Sequence, residues 1–315
     1  MNHILGLADG PGHTRRVVLE IVRSAVSGFL MGAADLVPGV SGGTIALVVG
    51  IYERLIASVR EGSVALGDLI KADFGGFKRH LGSVEWRFLL PLLVGILTAV
   101  ISLSRLLEHQ LETNPELMAG GFFGLVVGSV SIAWRLIRLP GPNHLVIAVL
   151  VAVALFVLLG LGEESIVSDP TLLAFFGAGA LAICAMILPG ISGSLILLLI
   201  GMFAPVLSAV NDRQYVSLAV FIVGATVGLA LFSQILHWSL QNHHDVVLAA
   251  LVGLMAGSLR VLWPWPDGVD SSAIGAPNGS VIGVVLAGLV GAGFVYLIAR
   301  LATSREAISE RQRTV

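Results

Sequence analysis

Charge is scarce in this 315-residue chain. Asp, Glu, Lys and Arg make up 12% of it, against 56% hydrophobic residues and a mean hydropathy of +0.94. A soluble domain carries about 25% charged residues, so there is too little here to cover a water-facing surface. That excludes an ordinary soluble enzyme and a disordered chain. Cysteine is almost missing: Cys184 stands alone, so no intrachain disulfide can form and the redox compartment stays open. No His, Cys, Asp and Glu cluster has the spacing of a metal site. Neither a metal, nor a cofactor, nor a nucleic-acid partner is expected. What the chain has in excess is glycine, 38 residues of 315, where about 7% is usual. Membrane helices use small residues to pack closely, so the class that remains is a polytopic helical membrane protein, all-α.

A bilayer-crossing helix needs about 20 mostly apolar residues. Six segments read as such spans: 88–107, 117–134, 144–161, 217–239, 246–263 and 280–299. Their apolar runs are long and do not alternate, which argues against strands. Two further apolar stretches, 17–56 and 170–208, are each split by a Pro-Gly break, Pro38-Gly39-Val40-Ser41-Gly42-Gly43 and Pro189-Gly190-Ile191-Ser192-Gly193-Ser194. Pro and Gly together end a helix and allow a tight reversal. Each stretch therefore reads as a helix–break–helix hairpin dipping into the membrane.

The breaks expose a repeat. Pro38, Gly39, Ser41, Gly42, Ile45 and Gly50 meet Pro189, Gly190, Ser192, Gly193, Ile196 and Gly201 at an offset of 151. Downstream the offset is 129: Gly95, Ser104, Gly124, Gly128 and Trp134 meet Gly224, Ser233, Gly253, Gly257 and Trp263. The difference, 151 − 129 = 22 residues, is an insertion after the first hairpin. The chain thus divides into an N-terminal segment 1–16, a repeat 17–161, a repeat 170–299 and a tail 300–315. Each repeat is a hairpin plus three spans. A hairpin returns to its own side and three spans then reverse it, so the second repeat starts inverted, as in many secondary transporters.

Charge placement tests this topology. With the N-terminus in the cytoplasm, 15 of 18 Lys and Arg fall on or near that side, leaving Arg105, Arg213 and Arg260 outside. The tail then ends in the cytoplasm too. All five tryptophans lie at or just beyond span ends, as an interfacial belt requires. Within the insertion 62–82, Leu66, Leu69, Ile70, Phe74, Phe77 and Leu81 recur at helical spacing beside Lys71, Lys78 and Arg79. This predicts a short amphipathic helix on the cytoplasmic leaflet. A signal peptide cleaved near Gly32-Ala33-Ala34 is the competing reading of the N-terminus. It would delete half of a hairpin that has a partner in the second repeat.

Each break is rich in backbone N–H groups and hydroxyls, and a new helix starts at Ser41 and at Ser192. Unpaired N–H donors at a helix start suit an anion, and irregular backbone at membrane depth is tolerated only where protein or a cavity satisfies it. The candidate binding residues are Pro38, Gly39, Ser41, Gly42, Gly43 and Thr44 with Pro189, Gly190, Ser192, Gly193 and Ser194. The bland alternative is close helix packing through glycine. Asp35, matched by Met186 in the second repeat, and Glu20 are candidates for a coupling proton or sodium ion. Arg23, Arg105 and Arg260 are candidate headgroup contacts, though each can equally snorkel to the interface. Glu53-Arg54 is expected to reach the cytoplasmic surface, and His243 and His244 to be solvated.

Two motifs compete. Gly39-Val40-Ser41-Gly42-Gly43 fits G-x-S-x-G, but that elbow needs an α/β sheet. Gly39-Val40-Ser41-Gly42 and Gly190-Ile191-Ser192-Gly193 also resemble the G-x-S-G of rhomboid intramembrane proteases, which need a histidine base facing the serine. The nearest candidate, His237, lies near a span end. The fold arguments alone also fit an ion-coupled transporter of a small soluble anion.

Met31-Gly32-Ala33-Ala34-Asp35-Leu36-Val37-Pro38-Gly39-Val40-Ser41-Gly42-Gly43-Thr44, continuing to Gly50-Ile51-Tyr52-Glu53, closely resembles a signature of the polyprenyl-phosphate (undecaprenyl-phosphate) transporter family. Met186-Ile187-Leu188-Pro189-Gly190-Ile191-Ser192-Gly193-Ser194 is similar to that family's second signature, and the likeness extends over Gly121 to Ser129. Met202-Phe203 departs from the expected Gly-Tyr-like continuation. The resemblance implies a non-enzymatic carrier of undecaprenyl phosphate, or a related polyprenyl phosphate, across the cytoplasmic (inner) membrane. It further implies carrier-lipid recycling for cell-envelope synthesis. Such a protein would hold the phosphate between hairpin tips, leave the tail in lipid, and work by alternating access.

Overall fold

Long apolar runs become long helices because hydrocarbon leaves the backbone no partner but itself. The computed structural model describes residues 11–37, 40–161, 167, 169–266, 268 and 274–311. Among these there are thirteen helices and no strand. They are α1 (Pro11–Asp35), α2 (Gly42–Val48), α3 (Tyr52–Ile70), α4 (Phe74–Ser83), α5 (Trp86–Thr113), α6 (Pro115–Trp134) and α7 (Pro142–Gly160). There follow α8 (Leu172–Ile187), α9 (Gly193–Leu199), α10 (Phe203–Asn211), α11 (Tyr215–Asn242), α12 (His244–Ser258) and α13 (Val281–Arg311). Six stretches are long and apolar enough to cross a membrane: Val17–Asp35, Trp86–Thr113, Pro115–Trp134, Pro142–Gly160, Tyr215–Asn242 and Val281–Leu301. The protein is a multi-pass membrane protein.

Two sequence expectations change. The span expected at 246–263 is α12, whose 15 residues rise only about 22 Å. After Ser258 the chain tightens into turns closed by i→i−3 bonds, Arg260 N–H to the Gly257 carbonyl through Trp263 N–H to that of Arg260. Pro264 follows, and the residue before a proline is pushed out of the helical region. The stretch 62–82 is not one helix either. Its first part prolongs α3 to Ile70, Ala72 turns the chain at φ 57°, and Asp73 caps α4 by accepting from Gly76 N–H at 2.9 Å. Ile70 and Phe74 project at this turn, 80% and 64% exposed.

The short helices that follow the two breaks end alike. In the first, α2 ends in a glycine turn: Gly50 N–H bonds the Leu47 carbonyl and Ile51 N–H that of Ala46, with Gly50 at φ +76°. In the second, Gly201 and Met202 bond the carbonyls of Leu198 and Leu197, with Gly201 at φ +70°. This is the left-handed helix stop that glycine adopts without a Cβ penalty. It folds α10 back against α9 at 110°. Every residue of α2 is buried, so the first tip is the core of the molecule, while apolar side chains such as Ile101 and Ile282 face outward.

Close helix pairs surround the tips, and glycine sets their spacing. A Cβ on Gly28 would lie 2.0 Å from the Leu92 carbonyl oxygen, and one on Gly95 2.0 Å from that of Ala25, which locks α1 along α5. At the repeat offsets, Gly179 meets Phe221 and Gly224 meets Phe176, both at 2.1 Å, which locks α8 along α11. The second kind of pair exchanges between halves. Gly120, Gly124 and Gly128 of α6 abut Val284, Gly288 and Ala292 of α13, and Gly253 and Gly257 of α12 abut Ala148 and Ala152 of α7. Both registers advance in the same direction, so α6 runs parallel to α13 and α7 parallel to α12.

Gly179→Ala should destabilise the full chain in detergent by about 1–3 kcal/mol, because the carbonyl it strikes is backbone and cannot give. Gly177→Ala, two residues away with nothing within 4 Å, should be neutral or slightly stabilising. Thermal unfolding of the two variants checks this, and equal midpoints would show that Gly179 does not set the α8–α11 spacing.

Candidate functional site

The two breaks meet. Ser41 is the N-cap of α2: its backbone is extended, and its Oγ accepts from Gly43 N–H at 3.1 Å while donating to the Met186 carbonyl at 3.4 Å. Thr44 Oγ1 accepts from Gly190 N–H at 3.0 Å, and Tyr52 OH donates to the Ile187 carbonyl at 3.3 Å. Gly43 has no room for a side chain, since a Cβ would stand 2.8 Å from the Ile187 carbonyl oxygen. Gly190 sits at φ +86°, and a Cβ there would lie 2.6 Å from Met255 Cα. Ser41, Thr44, Tyr52 and Pro189 are buried in this contact.

The hydrogen bonds redistribute the expected anion donors. Gly42 N–H is given to Asp35 Oδ1 at 2.6 Å, Gly43 N–H to Ser41 and Gly190 N–H to Thr44. The first tip thus spends these donors inside the protein. The second tip is more open: Ser192 Oγ and Ser194 Oγ lie 2.7 Å apart, with Ser194 exposed and Ser192 half-buried. Gly193 packs on Met186, which stands where Asp35 does in the first half. Asp35 itself is exposed beside its Gly42 bond. Pro38 and Gly39 lie outside the described residues.

The other candidates sit elsewhere. Arg23 is exposed on α1, twelve residues and so about 18 Å before Asp35. Arg105 is exposed on α5. Arg260, just past α12, lays its guanidinium over the Phe156 ring at 4.7 Å and against Gly160. Glu20 pairs with Arg54 at 2.5 Å, and Arg54 also pairs with Glu85 and covers the Phe88 ring at 4.3 Å. Arg54 therefore ties the starts of α1, α3 and α5 together rather than reaching freely to the surface.

A second polar centre was not foreseen. A cavity of about 460 Å³ is lined by Glu53, Arg54, Glu85, Arg138, His237 and His244, among others. His244, expected to be solvated, is 16% exposed: its Nε2 lies 3.0 Å from Glu53 Oε1 and its Nδ1 3.0 Å from Asp245 Oδ1. Asp245 also accepts the backbone N–H groups of Arg138 and Leu139, each at 3.1 Å. His244 and these two N–H donors hold its carboxyl down to about 2. Sequence carried no signal for this cluster, because its members are up to 191 residues apart. Among the described residues no three His, Cys, Asp or Glu are placed to hold a metal ion.

Residues 31–278 match the family model described as undecaprenyl phosphate translocase-like, a span that includes both tips and the cavity. The chain belongs to that family. A polyprenyl-phosphate transporter of Vibrio cholerae serotype O1 is 43% identical over 251 residues, covering 79% of this chain and 80% of the relative. A polyprenyl-phosphate transporter of Staphylococcus aureus is 31% identical over 255 residues, covering 76% and 85%. No solved structure matches. Family and relatives are transporters, not enzymes, which agrees with Ser41 Oγ being occupied by Gly43 and Met186 instead of an imidazole.

Thr44→Val keeps the volume but leaves Gly190 N–H buried without its acceptor. It should cost about 1–3 kcal/mol, whereas Thr44→Ser should retain most of the stability. Thermal unfolding checks the pair, and an unaltered Thr44→Val midpoint would mean that the tips are not joined by this bond.

Proposed function

We propose that this protein carries undecaprenyl phosphate, or a related polyprenyl phosphate, across the cytoplasmic membrane, returning carrier lipid for cell-envelope synthesis. The observation that carries the reading is the 43% identity, over 79% of the chain, to a polyprenyl-phosphate transporter. Geometry supports it. Moving the tail requires no change of surroundings, because it stays in lipid. Moving the phosphate does, since transferring a bare anion into low dielectric costs many kcal/mol. Polar backbone and hydroxyls at the joined tips are suited to replace its water, with Ser192 and Ser194 on the open side and Ser41 and Thr44 behind them.

The two halves, 17–161 and 170–299, form inverted repeats that rock about the tips to open the site to either leaflet. The parallel registers support inversion. Helix α6 runs with α13 and α7 with α12. Consecutive spans reverse, so α12 runs against its counterpart α6. Both termini lie in the cytoplasm. The α3–α4 turn rests on that leaflet through Ile70 and Phe74, with Lys71, Lys78 and Arg79 facing its anionic headgroups. Asp35 takes the coupling proton or sodium ion at the tip.

Flipping of a fluorescent polyprenyl phosphate in proteoliposomes tests this. Ser41→Ala with Ser192→Ala should slow flipping about tenfold or more, the worth of lost hydrogen bonds to a charged group. Unchanged flipping by the folded double variant removes the tips as the site. Asp35→Asn keeps an oxygen acceptor for Gly42 N–H but loses the charge, so it should abolish any proton or sodium dependence. Retained dependence clears Asp35. Uptake of soluble phosphate without lipid flipping would instead favour a carrier of small anions.

A further inference from the structure

The cavity at the end of the first hairpin points to a function that the tips do not explain. His244 has a carboxylate oxygen 3.0 Å from each ring nitrogen, Glu53 on Nε2 and Asp245 on Nδ1. A neutral imidazole has one N–H, so one nitrogen would aim its lone pair at a carboxylate. Imidazolium has two N–H groups and satisfies both. We infer that the Glu53–His244–Asp245 cluster is a proton-binding site, and that its proton fastens the first hairpin to the second half of the chain.

The two arms differ in strength. Asp245 is anchored by the backbone N–H groups of Arg138 and Leu139 and stays ionised across the histidine range. Glu53, 64% exposed, is the arm that water can take back. Losing the proton therefore releases α3 from α12 and leaves the Asp245 arm in place. Other charged groups face the same space: Arg54 from α3, already held by Glu20 and Glu85, Arg138 from the α6–α7 connection, and His237 from α11. Within the lining Glu53 and Glu85 balance Arg54 and Arg138, and Asp245 adds a further carboxylate at the imidazole itself, which favours a proton there over an anion.

The repeat makes the cluster one-sided. At the offset of 151, Glu53 and Arg54 correspond to Ala204 and Pro205; at 129, Glu85 corresponds to Gln214 and His244 to Pro115. The repeat-related corner of the fold therefore keeps only an acid, Glu116 in place of Asp245, and has neither the imidazole nor its Glu53 partner, so the fastening is an addition to one end only. If the transport reading holds, the proton biases which end of the carrier is closed, a role separate from any coupling at Asp35.

Thermal unfolding of the purified full chain in detergent, from about pH 5.5 to about pH 8, tests the site without any transport assay. The fastening is present while the imidazole is charged and is lost as pH rises. The wild-type midpoint should accordingly fall by roughly 2–4 °C, small because Glu53 is exposed. His244→Asn and Glu53→Gln should each flatten that slope, the second at a surface position where folding is not at issue. His80, between Glu61 at 2.9 Å and Asp68 at 3.8 Å, has similar chemistry, so His80→Asn is the control and should leave the His244-dependent part intact. A slope that survives both His244→Asn and Glu53→Gln, or vanishes only in His80→Asn, overturns the proposal. Absence of lipid flipping would defeat the transport reading while leaving this result standing.

Discussion

Everything in this molecule depends on one requirement: a backbone N–H buried away from water must find an acceptor. Two helices break in the middle of apolar stretches, and each break frees N–H and C=O groups. Those groups are satisfied across the breaks. Thr44 accepts from Gly190, Ser41 donates to the Met186 carbonyl and Tyr52 to that of Ile187. Hydrocarbon offers no substitute for these partners, so neither tip is stable without the other. The contact joins the two parts of the chain at the place where each leaves helical hydrogen bonding.

Glycine serves that contact in two ways. Along α1–α5, α8–α11, α6–α13 and α7–α12 it removes side chains so that backbones approach closely, and the gain is dispersion over long interfaces. At Gly50, Gly190 and Gly201 it supplies the left-handed backbone that closes the tips. The first use makes four closely packed pairs; the second makes the turns that they enclose.

The polar groups divide between two centres with different chemistry. At the tips, neutral hydroxyls and backbone donors dominate, with Asp35 the one carboxylate at the edge. At the end of the first hairpin, carboxylates, two arginines and two histidines crowd one cavity. The first offers neutral donors and acceptors, the second charged and titratable groups. Keeping them apart lets the charge state of one change without adding or removing charge beside the other.

The amino-acid pattern alone was enough to establish a polytopic helical protein, the two breaks, their 151-residue offset and the family whose signature they carry. Those features are local: apolar length, Pro-Gly punctuation and motif spacing are written in neighbouring residues. The pattern overextended α12 to 263 and merged α3 and α4, because where a helix stops depends on bonds such as the i→i−3 turns after Ser258 and the Asp73 cap. Tertiary structure alone decided which donors the first tip consumes, that Glu20 and Glu85 share Arg54, and that Glu53 meets His244. Those contacts join residues distant in sequence, and no local propensity encodes a partner that only packing can bring within 3 Å.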